Sequence, residues 1–267
     1  MNHAAFYRKK VIWITGASSG IGENLAIQLA RLGAFLILSS RNQAKLENLK
    51  SVLENTEAHL VLPLDLANLT DLHTHINQIL DKFGRIDILI NNGGVSQRAS
   101  AAETTMEVNR QLMEVNFFGN IALSKAVLPI FRKQGSGQFL IVSSIAGKFG
   151  FHLRSIYSAS KAALVGYYES VAMEEAKNGI YVSIAYPGKI NTPISQSALT
   201  ATGTAHGQMD RNQANGMPVE QCVSELLAGL AQHKKEILIG GKELLAVYLK
   251  RFFPRLFWKI IPKQNAT

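Results

Sequence analysis

The sequence predicts an α/β protein in which seven strands form one doubly wound parallel sheet. Short, almost continuously apolar runs recur along the chain, as is typical of strands that are buried on both faces. Stretches long enough for crossover helices separate these runs, and strands that alternate with helices form parallel sheets. The seven runs are VIWIT at 11–15, FLILSS at 35–40, LVLPL at 60–64, IDILI at 86–90, QFLIVSS at 138–144, YVSIAY at 181–186 and EILIG at 236–240.

The crossover helices are clearest in four of the stretches, at 22–32, 42–55, 69–83 and 155–177. One long stretch, 189–217, has little periodicity and is rich in Ser, Thr, Ala, Gly and Asn. A loop of that length in a compact domain is usually a lid or a binding loop, or else it is disordered.

Composition limits the class of protein. At 267 residues and 47% hydrophobic, the chain can bury one large core, which we expect over 1–241 with an extension over 242–267. The single cysteine, Cys222, excludes an intramolecular disulfide and a multi-cysteine metal site. His73 and His75 lie two apart on a polar helix, so we expect no metal site there. No apolar run of signal-peptide length precedes the first strand, which favours the cytoplasm.

The stretch VIWITGASSGIG, at 11–22, has two incompatible interpretations. Gly16, Ser18 and Gly20 match the turn on which some hydrolases carry a nucleophilic serine. That site also needs an oxyanion-binding strand upstream, and only fifteen residues precede Gly16. Glycines that follow a first strand and open a helix also form the phosphate-binding turn of a Rossmann-type domain. The position of the turn favours the nucleotide-binding interpretation and leaves a Ser18 hydrolase as a remote alternative.

Six ordered motifs resemble the short-chain dehydrogenase/reductase family over about residues 9–240. The resemblance implies a Rossmann-type fold, an oxidoreductase activity and a nicotinamide cofactor, and the family usually pairs its long helices in homo-oligomers. The strings INNGG and SQR and the tail AVYLKRFFPRLF resemble the branch of dehydrogenase/reductase members 7 and 7B. The motifs are TGASSGIG at 15–22, NNGG at 91–94, EVNFFGN around Asn116, VSS ending at Ser144, YSASK at 157–161 and PGKINT at 187–192.

The resemblance implies four catalytic residues. Tyr157 and Lys161 are four apart, so they lie on the same face of a helix, where a nearby ammonium group favours the phenolate. By resemblance, Tyr157 exchanges a proton with the substrate, and Lys161 also holds the nicotinamide ribose. Ser144 ends a strand at the catalytic edge, where its hydroxyl can stabilise an oxyanion, and Ser143 must point to the opposite face. Asn116 matches the family's asparagine that helps to hold a water molecule in the proton relay.

Charge at the end of the second strand predicts NADP rather than NAD. An NAD site needs an acidic residue there to bind the ribose 2′-hydroxyl, but the chain has none between Glu23 and Glu47. Ser40 takes this position, and Arg41 follows it next to the place of a 2′-phosphate. By resemblance, Asn91 stabilises the turn at NNGG. The expected cofactor-binding residues are Gly16, Ser18, Ser19, Gly20, Ile21, Gly22, Ser40, Arg41, Asp65, Leu66, Asn92, Gly93, Tyr157, Lys161, Pro187, Gly188, Ile190 and Thr192.

These residues predict a hydride transfer between NADPH and an apolar carbonyl or alcohol, such as a steroid, a retinoid or a lipid precursor, bound beneath 190–217. Val95, Ile145, Phe149 and Phe151 surround the catalytic positions in the sequence, and we expect no arginine pair that binds a carboxylate or a phosphate. An alternative of another class is an NADP-binding sensor or scaffold with little turnover. NADPH oxidation with a panel of carbonyl compounds distinguishes the two.

The basic charge is concentrated in the extension. The net charge is +9, and the extension holds six Lys or Arg residues against Glu243 alone. The chain has no nucleic-acid-binding signature, so we expect no nucleic acid partner. Its longest apolar run in 244–263 is far shorter than the roughly 20 residues of a spanning helix. Two amphipathic pieces around Pro254 would lie at a membrane surface, or the segment packs over the substrate pocket or against another subunit.

Overall fold

The computed structural model describes residues 3–261, and its seven strands form one parallel sheet in the order β3-β2-β1-β4-β5-β6-β7. This confirms the predicted fold class. Each strand overlaps the apolar run that predicted it. The strands are β1 (Val11–Thr15), β2 (Phe35–Ser39), β3 (His59–Val61), β4 (Ile88–Asn91), β5 (Gly137–Val142), β6 (Ile180–Pro187) and β7 (Glu236–Ile239).

Helices cover both faces of the sheet. The four predicted helices are present as α2, α3, α4 and α7. A π-helical segment, Glu114–Phe118, connects α5 and α6 into one long helical region, which the sequence analysis did not predict. The helices are α1 (His3–Tyr7), α2 (Gly20–Arg31), α3 (Gln43–Val52), α4 (Leu72–Phe83), α5 (Met106–Met113), α6 (Gly119–Gln134), α7 (Ser155–Glu175), α8 (Arg211–Ala214), α9 (Val219–Ala231), α10 (Leu245–Phe252) and α11 (Pro254–Ile260).

The strands are continuously apolar because each has a core on both sides. Successive residues of β1 alternate between the two cores: Ile12 and Ile14 pack with α2 and α9, whereas Trp13 packs with α4, α6 and α7. Side chains of a strand alternate between faces, so a strand between two helical layers needs apolar residues at every position.

The strand order reverses beside β1, which pairs with β2 on one side and with β4 on the other. Ligands of open α/β sheets bind at the carboxyl ends of the strands at such a reversal. The long stretch 189–217 lies at the same edge and is folded: it contains a 3₁₀ turn at Pro193–Ser195 and α8, and Leu199 pairs with Gln97.

Two backbone segments approach each other closely where β1 ends. Gly16 and Gly20 have φ values of +66° and +57°, which favour glycine. A Cβ atom at Gly22 would overlap the carbonyl oxygen of Gly16 and lie 2.6 Å from Nδ2 of Asn92. The turn therefore requires a residue without a side chain at position 22.

We predict that Gly22→Ala lowers the free energy of unfolding by about 1 to 3 kcal/mol, because its methyl group has no space. Gly166 is a matched control, since it also lies in a helix but has no heavy atom within 4 Å of the position of its Cβ. Gly166→Ala is expected to be neutral or to stabilise by up to about 1 kcal/mol. Urea denaturation measures both, and an unchanged stability of Gly22→Ala would contradict the close approach.

Candidate active site

A cavity of about 1190 Å³ opens at the carboxyl edge of the sheet, at the reversal of strand order. Its wall is formed by the glycine turn after β1, the ends of β2, β4, β5 and β6, the first turns of α7, and the stretch 190–213. It extends from Arg41 to Tyr157, so it joins the predicted cofactor residues to the predicted catalytic ones. The predicted residues in its wall are Gly16, Ser18, Ser19, Gly20, Ile21, Ser40, Arg41, Asp65, Leu66, Asn92, Gly93, Ser144, Tyr157, Lys161, Pro187, Gly188, Ile190 and Thr192.

Hydrogen bonds join the ends of β1 and β4 below the glycine turn. Asn92 donates to the carbonyl oxygens of Thr15 and Gly16, at 2.9 and 3.3 Å. The amide of Gly93 donates to the hydroxyl of Thr15 at 2.9 Å. The expectation that Asn91 stabilises this turn is wrong: its amide donates to side chains of α6 and α7 instead, at 2.8 and 2.9 Å.

Gly93 packs closely against Leu66. A Cβ atom at position 93 would lie 2.7 Å from Cδ1 of Leu66. Leu66 therefore occupies the space that a methyl group would need, and the glycine and the leucine fit each other.

The end of β2 presents basic residues to the cavity. Arg41 is exposed and forms part of the wall, as does Lys45 in the first turn of α3, which the sequence analysis missed. Asn42 caps α3, accepting a hydrogen bond from the amide of Lys45 at 3.0 Å. Asp65 follows β3, the strand paired with β2, and accepts a hydrogen bond from the amide of Ala67 at 3.0 Å. Lys45 lies four residues after Arg41, and this spacing could have identified Lys45 as the second basic residue of the cavity wall.

Tyr157 and Lys161 are buried side by side in the first turns of α7. The ammonium group of Lys161 lies 5.9 Å from the centroid of the Tyr157 ring and donates to the carbonyl oxygen of Val142 at 2.8 Å. Burial raises the pKa of Tyr157, while the charge of Arg154 and a hydrogen bond with Ser144 lower it in part. Burial lowers the pKa of Lys161 to about 8, so the lysine is still mostly charged at pH 7.

The two serines after β5 have different partners. The hydroxyl of Ser144 accepts a hydrogen bond from the amide of Ala146 at 3.1 Å and donates to the carbonyl oxygen of Pro187 at 3.4 Å. The hydroxyl of Ser143 donates instead to the carbonyl oxygen of Lys161 at 2.9 Å. Both serines lie in the cavity wall, and Ser144 is the one that lowers the pKa of Tyr157.

Asn116 lies in the π-helical segment and is fully buried behind the cavity wall. Its Oδ1 accepts from the amide of Val95 at 2.8 Å, and its Nδ2 donates to the carbonyl of Val95 at 2.9 Å and to Ser160 at 3.0 Å. Because π-helical turns often occur at functional sites, the local widening of the helix fits the position of this residue. Asn116 fixes the chain after β4 against α7.

Residues after β6 form the wall opposite the glycine turn. Ile190 and Thr192 are buried, and Gln213 donates to the carbonyl of Ile190 and, at 3.4 Å, to the hydroxyl of Thr192. The carboxylate of Glu243 accepts a hydrogen bond from the amide of Lys189 at 2.9 Å, which joins the start of the C-terminal extension to this wall.

The expectation that no arginine pair lies near the catalytic residues is wrong. Arg98 and Arg154 both form part of the cavity wall, and both contact the buried carboxylate of Asp210. No local pattern predicts this cluster, because the loop after β4, the start of α7 and the stretch 190–217 supply these residues from distant positions. Burial lowers the pKa of Arg98 to about 9, so it stays charged at pH 7.

Three of the predicted apolar neighbours do not form the wall. Phe149 and Phe151 stack on each other at 4.8 Å, and Phe149 contacts Phe257 of α11 edge to face at 5.2 Å. Ile145 is buried in the core. Val95 alone of the four lines the cavity, together with Val115, Ile194 and Leu199 from other segments.

Ser18 lies on the cavity wall, as the hydrolase interpretation requires. A nucleophilic serine also needs a base within hydrogen-bond reach, usually a histidine. No histidine lines the cavity in the described part of the chain, so the geometry does not support that interpretation.

The comparisons define the class of protein. A family model for short chain dehydrogenases matches residues 10–202, so the chain belongs to this family of oxidoreductases, which use a nicotinamide cofactor. A dehydrogenase/reductase SDR family protein 7-like of Drosophila melanogaster is 39% identical over 261 residues, covering 96% of this chain and 80% of that protein. The human dehydrogenase/reductase SDR family member 7 is 39% identical over 262 residues, or 96% and 77% of the two chains. The resemblance to this branch is confirmed.

The fold comparison agrees. The crystal structure of a short-chain dehydrogenase from Streptomyces avermitilis superposes with a TM-score of 0.80 at 27% identity, covering 96% of this chain and 98% of that one.

Proposed function

We propose that this protein is an NADP-dependent oxidoreductase that transfers a hydride between the nicotinamide and a carbonyl or alcohol carbon. The observation that carries the proposal is the buried pair of Tyr157 and Lys161, with the half-buried Ser144 in the same cavity wall, at the end of a glycine-lined channel. The competing proposal, an NADP-binding sensor, requires the same channel but gives no reason for a buried tyrosine beside a buried lysine.

The residues of the channel fit a dinucleotide. The turn at Gly16 and Gly20 precedes the N-terminus of α2, where free amide groups favour a pyrophosphate. We propose that Asp65 and Leu66 face the adenine, that Ile190 and Thr192 face the carboxamide, and that Lys161 holds the nicotinamide ribose. NADPH, when bound, supplies the hydride.

Tyr157 is the proposed acid. Burial keeps its phenol protonated at neutral pH, so it has a proton to donate to the carbonyl oxygen of the substrate. The charges of Lys161 and Arg154 then stabilise the phenolate that remains. Ser144 donates a hydrogen bond to the same oxygen while charge develops on it. Asn116 acts behind this group by fixing Val95 and α7.

Arg41 is the proposed determinant of cofactor choice. It is an exposed cation on the cavity wall at the end of β2, with Lys45 four residues further on. Charge-assisted hydrogen bonds to a 2′-phosphate contribute about 1.5 to 3 kcal/mol, which corresponds to roughly a 10- to 100-fold preference for NADP.

We expect an apolar body on the substrate. Val95, Val115, Ile194 and Leu199 form an apolar part of the cavity wall, and the last two belong to the stretch 190–217. A steroid, a retinoid or a lipid precursor with a carbonyl group matches this surface.

Tyr157→Phe tests the acid, because it keeps the ring but removes the proton. Turnover is expected to fall about 100- to 10,000-fold, with NADPH binding preserved. Steady-state NADPH oxidation and NADPH fluorescence titration measure the two quantities. A variant that retains more than about a tenth of the wild-type rate would exclude Tyr157 as the proton donor.

Arg41→Asp tests the cofactor. The new carboxylate repels a 2′-phosphate and can bind a 2′-hydroxyl, so the ratio of kcat/KM for NADPH over NADH is expected to fall at least tenfold. Arg110→Asp is the control, since Arg110 is exposed outside the cavity wall. If the ratio is the same in wild type and Arg41→Asp, a different residue binds the phosphate.

The extension 242–267 is proposed as a membrane-contact segment attached to a catalytic domain of residues 1–241. Residues 262–267 lie outside the described range. Phe252, Phe253 and Trp258 are 67, 63 and 62% exposed, whereas Phe257 is buried against the domain. The ammonium group of Lys250 lies 4.5 Å from the centroid of the Trp258 ring. Among the described residues, no helix is both long enough and apolar enough to cross a bilayer.

Replacing Phe252, Phe253 and Trp258 together by serine tests the membrane contact while leaving Phe257 in place. The wild type is expected to sediment with vesicles that contain anionic lipid, less so at high salt, and the triple variant to stay in the supernatant. Val52→Ser controls for the loss of an exposed apolar residue elsewhere, because Val52 is 75% exposed. Equal sedimentation of wild type and triple variant would assign these aromatic residues another role.

A further inference from the structure

The charged cluster of Arg98, Arg154 and Asp210 lies at the cavity wall beside Tyr157. The function proposed above uses only the charge of Arg154 from this cluster. It contains two guanidinium groups and one carboxylate. Two titratable side chains lie near it: Tyr157, and His206 with Nε2 3.9 Å from Oδ1 of Asp210. The two guanidinium groups and the one carboxylate leave one positive charge in excess.

Arg98 uses its donors inside the protein. Its Nε donates to Oδ1 of Asp210 at 3.1 Å, its Nη2 forms an ion pair with Oδ2, and its Nη1 donates to the carbonyl of Gln97 at 2.9 Å. The side chain is 3% exposed. Arg98 and Asp210 therefore form a closed pair, which attaches the stretch 190–217 to the chain after β4.

Arg154 does not use its donors in this way. Its Nη2 lies 3.2 Å from Oδ2 of Asp210, which Arg98 already occupies. Its Nε is buried and has no hydrogen-bond partner among the described residues. A buried donor without a partner is destabilising, and a buried charge without one even more so. Arg154 lies in the cavity wall with 18% of its side chain exposed, so the part of its guanidinium group that faces the cavity can contact a ligand.

The position of Arg154 limits where such a ligand group lies. It is the residue before α7, three before Tyr157, and its charge is the largest influence that lowers the pKa of Tyr157. An anion at Arg154 would therefore lie close to the carbonyl group that Tyr157 protonates. The apolar wall formed by Val95, Val115, Ile194 and Leu199 is the remaining surface for the rest of the molecule.

We propose that Arg154 binds an anionic group, a carboxylate or a phosphate, on the substrate of this enzyme, close to the reacting carbonyl and joined to an apolar body. This inference rests on the proposed function and narrows its substrate class. A guanidinium group matches both anions because its planar donors bind two oxygens at once. Asp210 then holds one side of Arg154 in place, and Arg98 neutralises Asp210.

The first test compares ketones that carry the same six-carbon apolar chain beyond the carbonyl: 4-oxodecanoate, 2-oxooctyl phosphate and the neutral methyl 4-oxodecanoate. With the full-length enzyme and NADPH, we expect kcat/KM for at least one anionic ketone to exceed that for the ester by roughly 10- to 100-fold. The anion that is preferred identifies the group. A wild-type enzyme that prefers the ester, or does not distinguish the three, overturns the inference.

Variants assign the preference to one residue. Arg154→Gln is expected to reduce the ratio of anionic to ester kcat/KM to about one, and Arg154→Lys to keep part of it. The ratio is the measured quantity because any effect on Tyr157 applies to both substrates. Arg211→Gln removes a charge from an exposed neighbour of Asp210 outside the cavity wall and should leave the ratio unchanged. An unchanged ratio in Arg154→Gln would show that the anion binds elsewhere.

A binding measurement separates this inference from the proposed reaction. Decanoate and decyl phosphate have no carbonyl group, so their binding to the enzyme saturated with NADP does not depend on turnover. Calorimetry should give a Kd at least tenfold weaker for Arg154→Gln than for wild type with one of the two probes, with circular dichroism confirming that the variant is folded. If wild type binds neither probe, or the variant binds both equally well, the anion site is absent. If binding depends on Arg154 but no ketone is reduced, the proposed reaction fails and the anion site stands.

Discussion

The close approach of two backbone segments at the reversal of strand order is the constraint on which the rest of the site depends. The turn after β1 and the chain after β4 meet where Gly16 lies against Gly93, and a Cβ atom at Gly16 would be 2.8 Å from Cα of Gly93. Asn92 and Thr15 hold the two segments at this distance. Because no side chain fills the space above them, the channel continues from the end of β2 to α7 as one cavity.

A second constraint is the cost of burying ionisable groups at the far end of that channel. Tyr157 and Lys161 are both buried, and burial opposes charge on each of them. A buried phenol remains an acid at neutral pH, and a lysine with a pKa of about 8 still supplies most of a positive charge. Arg154 adds a second charge from the same end of α7. The site therefore combines a protonated phenol with a positive environment for its phenolate, as the proposed role of Tyr157 requires.

Local patterns predicted the sheet, and distant contacts determined what the sequence could not predict. A strand such as β1 can be identified from its continuous apolar run because both of its faces are buried. This pattern lies within the run itself and does not depend on distant residues. Tyr157 and Lys161 could be paired because helical spacing alone brings them together. The contact of Arg98 with Asp210 joins residues 112 apart, and nothing in either neighbourhood signals it. Side-chain direction was the other source of error. Asn91 and Asn92 are adjacent, but their side chains point to opposite faces of the sheet. Asn92, and not Asn91, therefore forms the hydrogen bonds to the turn after β1.

Contacts between distant segments also explain why Phe149 and Phe151 do not line the cavity, although they lie near the catalytic residues in the sequence. Phe149 is close to Ser144 in sequence, but it packs on Phe257 of the C-terminal extension and not on the cavity. The apolar part of the cavity wall comes instead from Val115 in the π-helical segment, and from Ile194 and Leu199 in the stretch 190–217. Segments far apart in the sequence therefore form this wall together.

The central claim is that this cavity transfers a hydride to a carbonyl carbon, and isotope transfer tests it most directly. NADPH that carries deuterium at both hydrogens of nicotinamide C4, incubated with the full-length enzyme and a panel of aliphatic ketones, should give alcohols with one deuterium on the carbinol carbon by mass spectrometry. Alcohols without deuterium, or no consumption of NADPH with any member of the panel, would contradict the account.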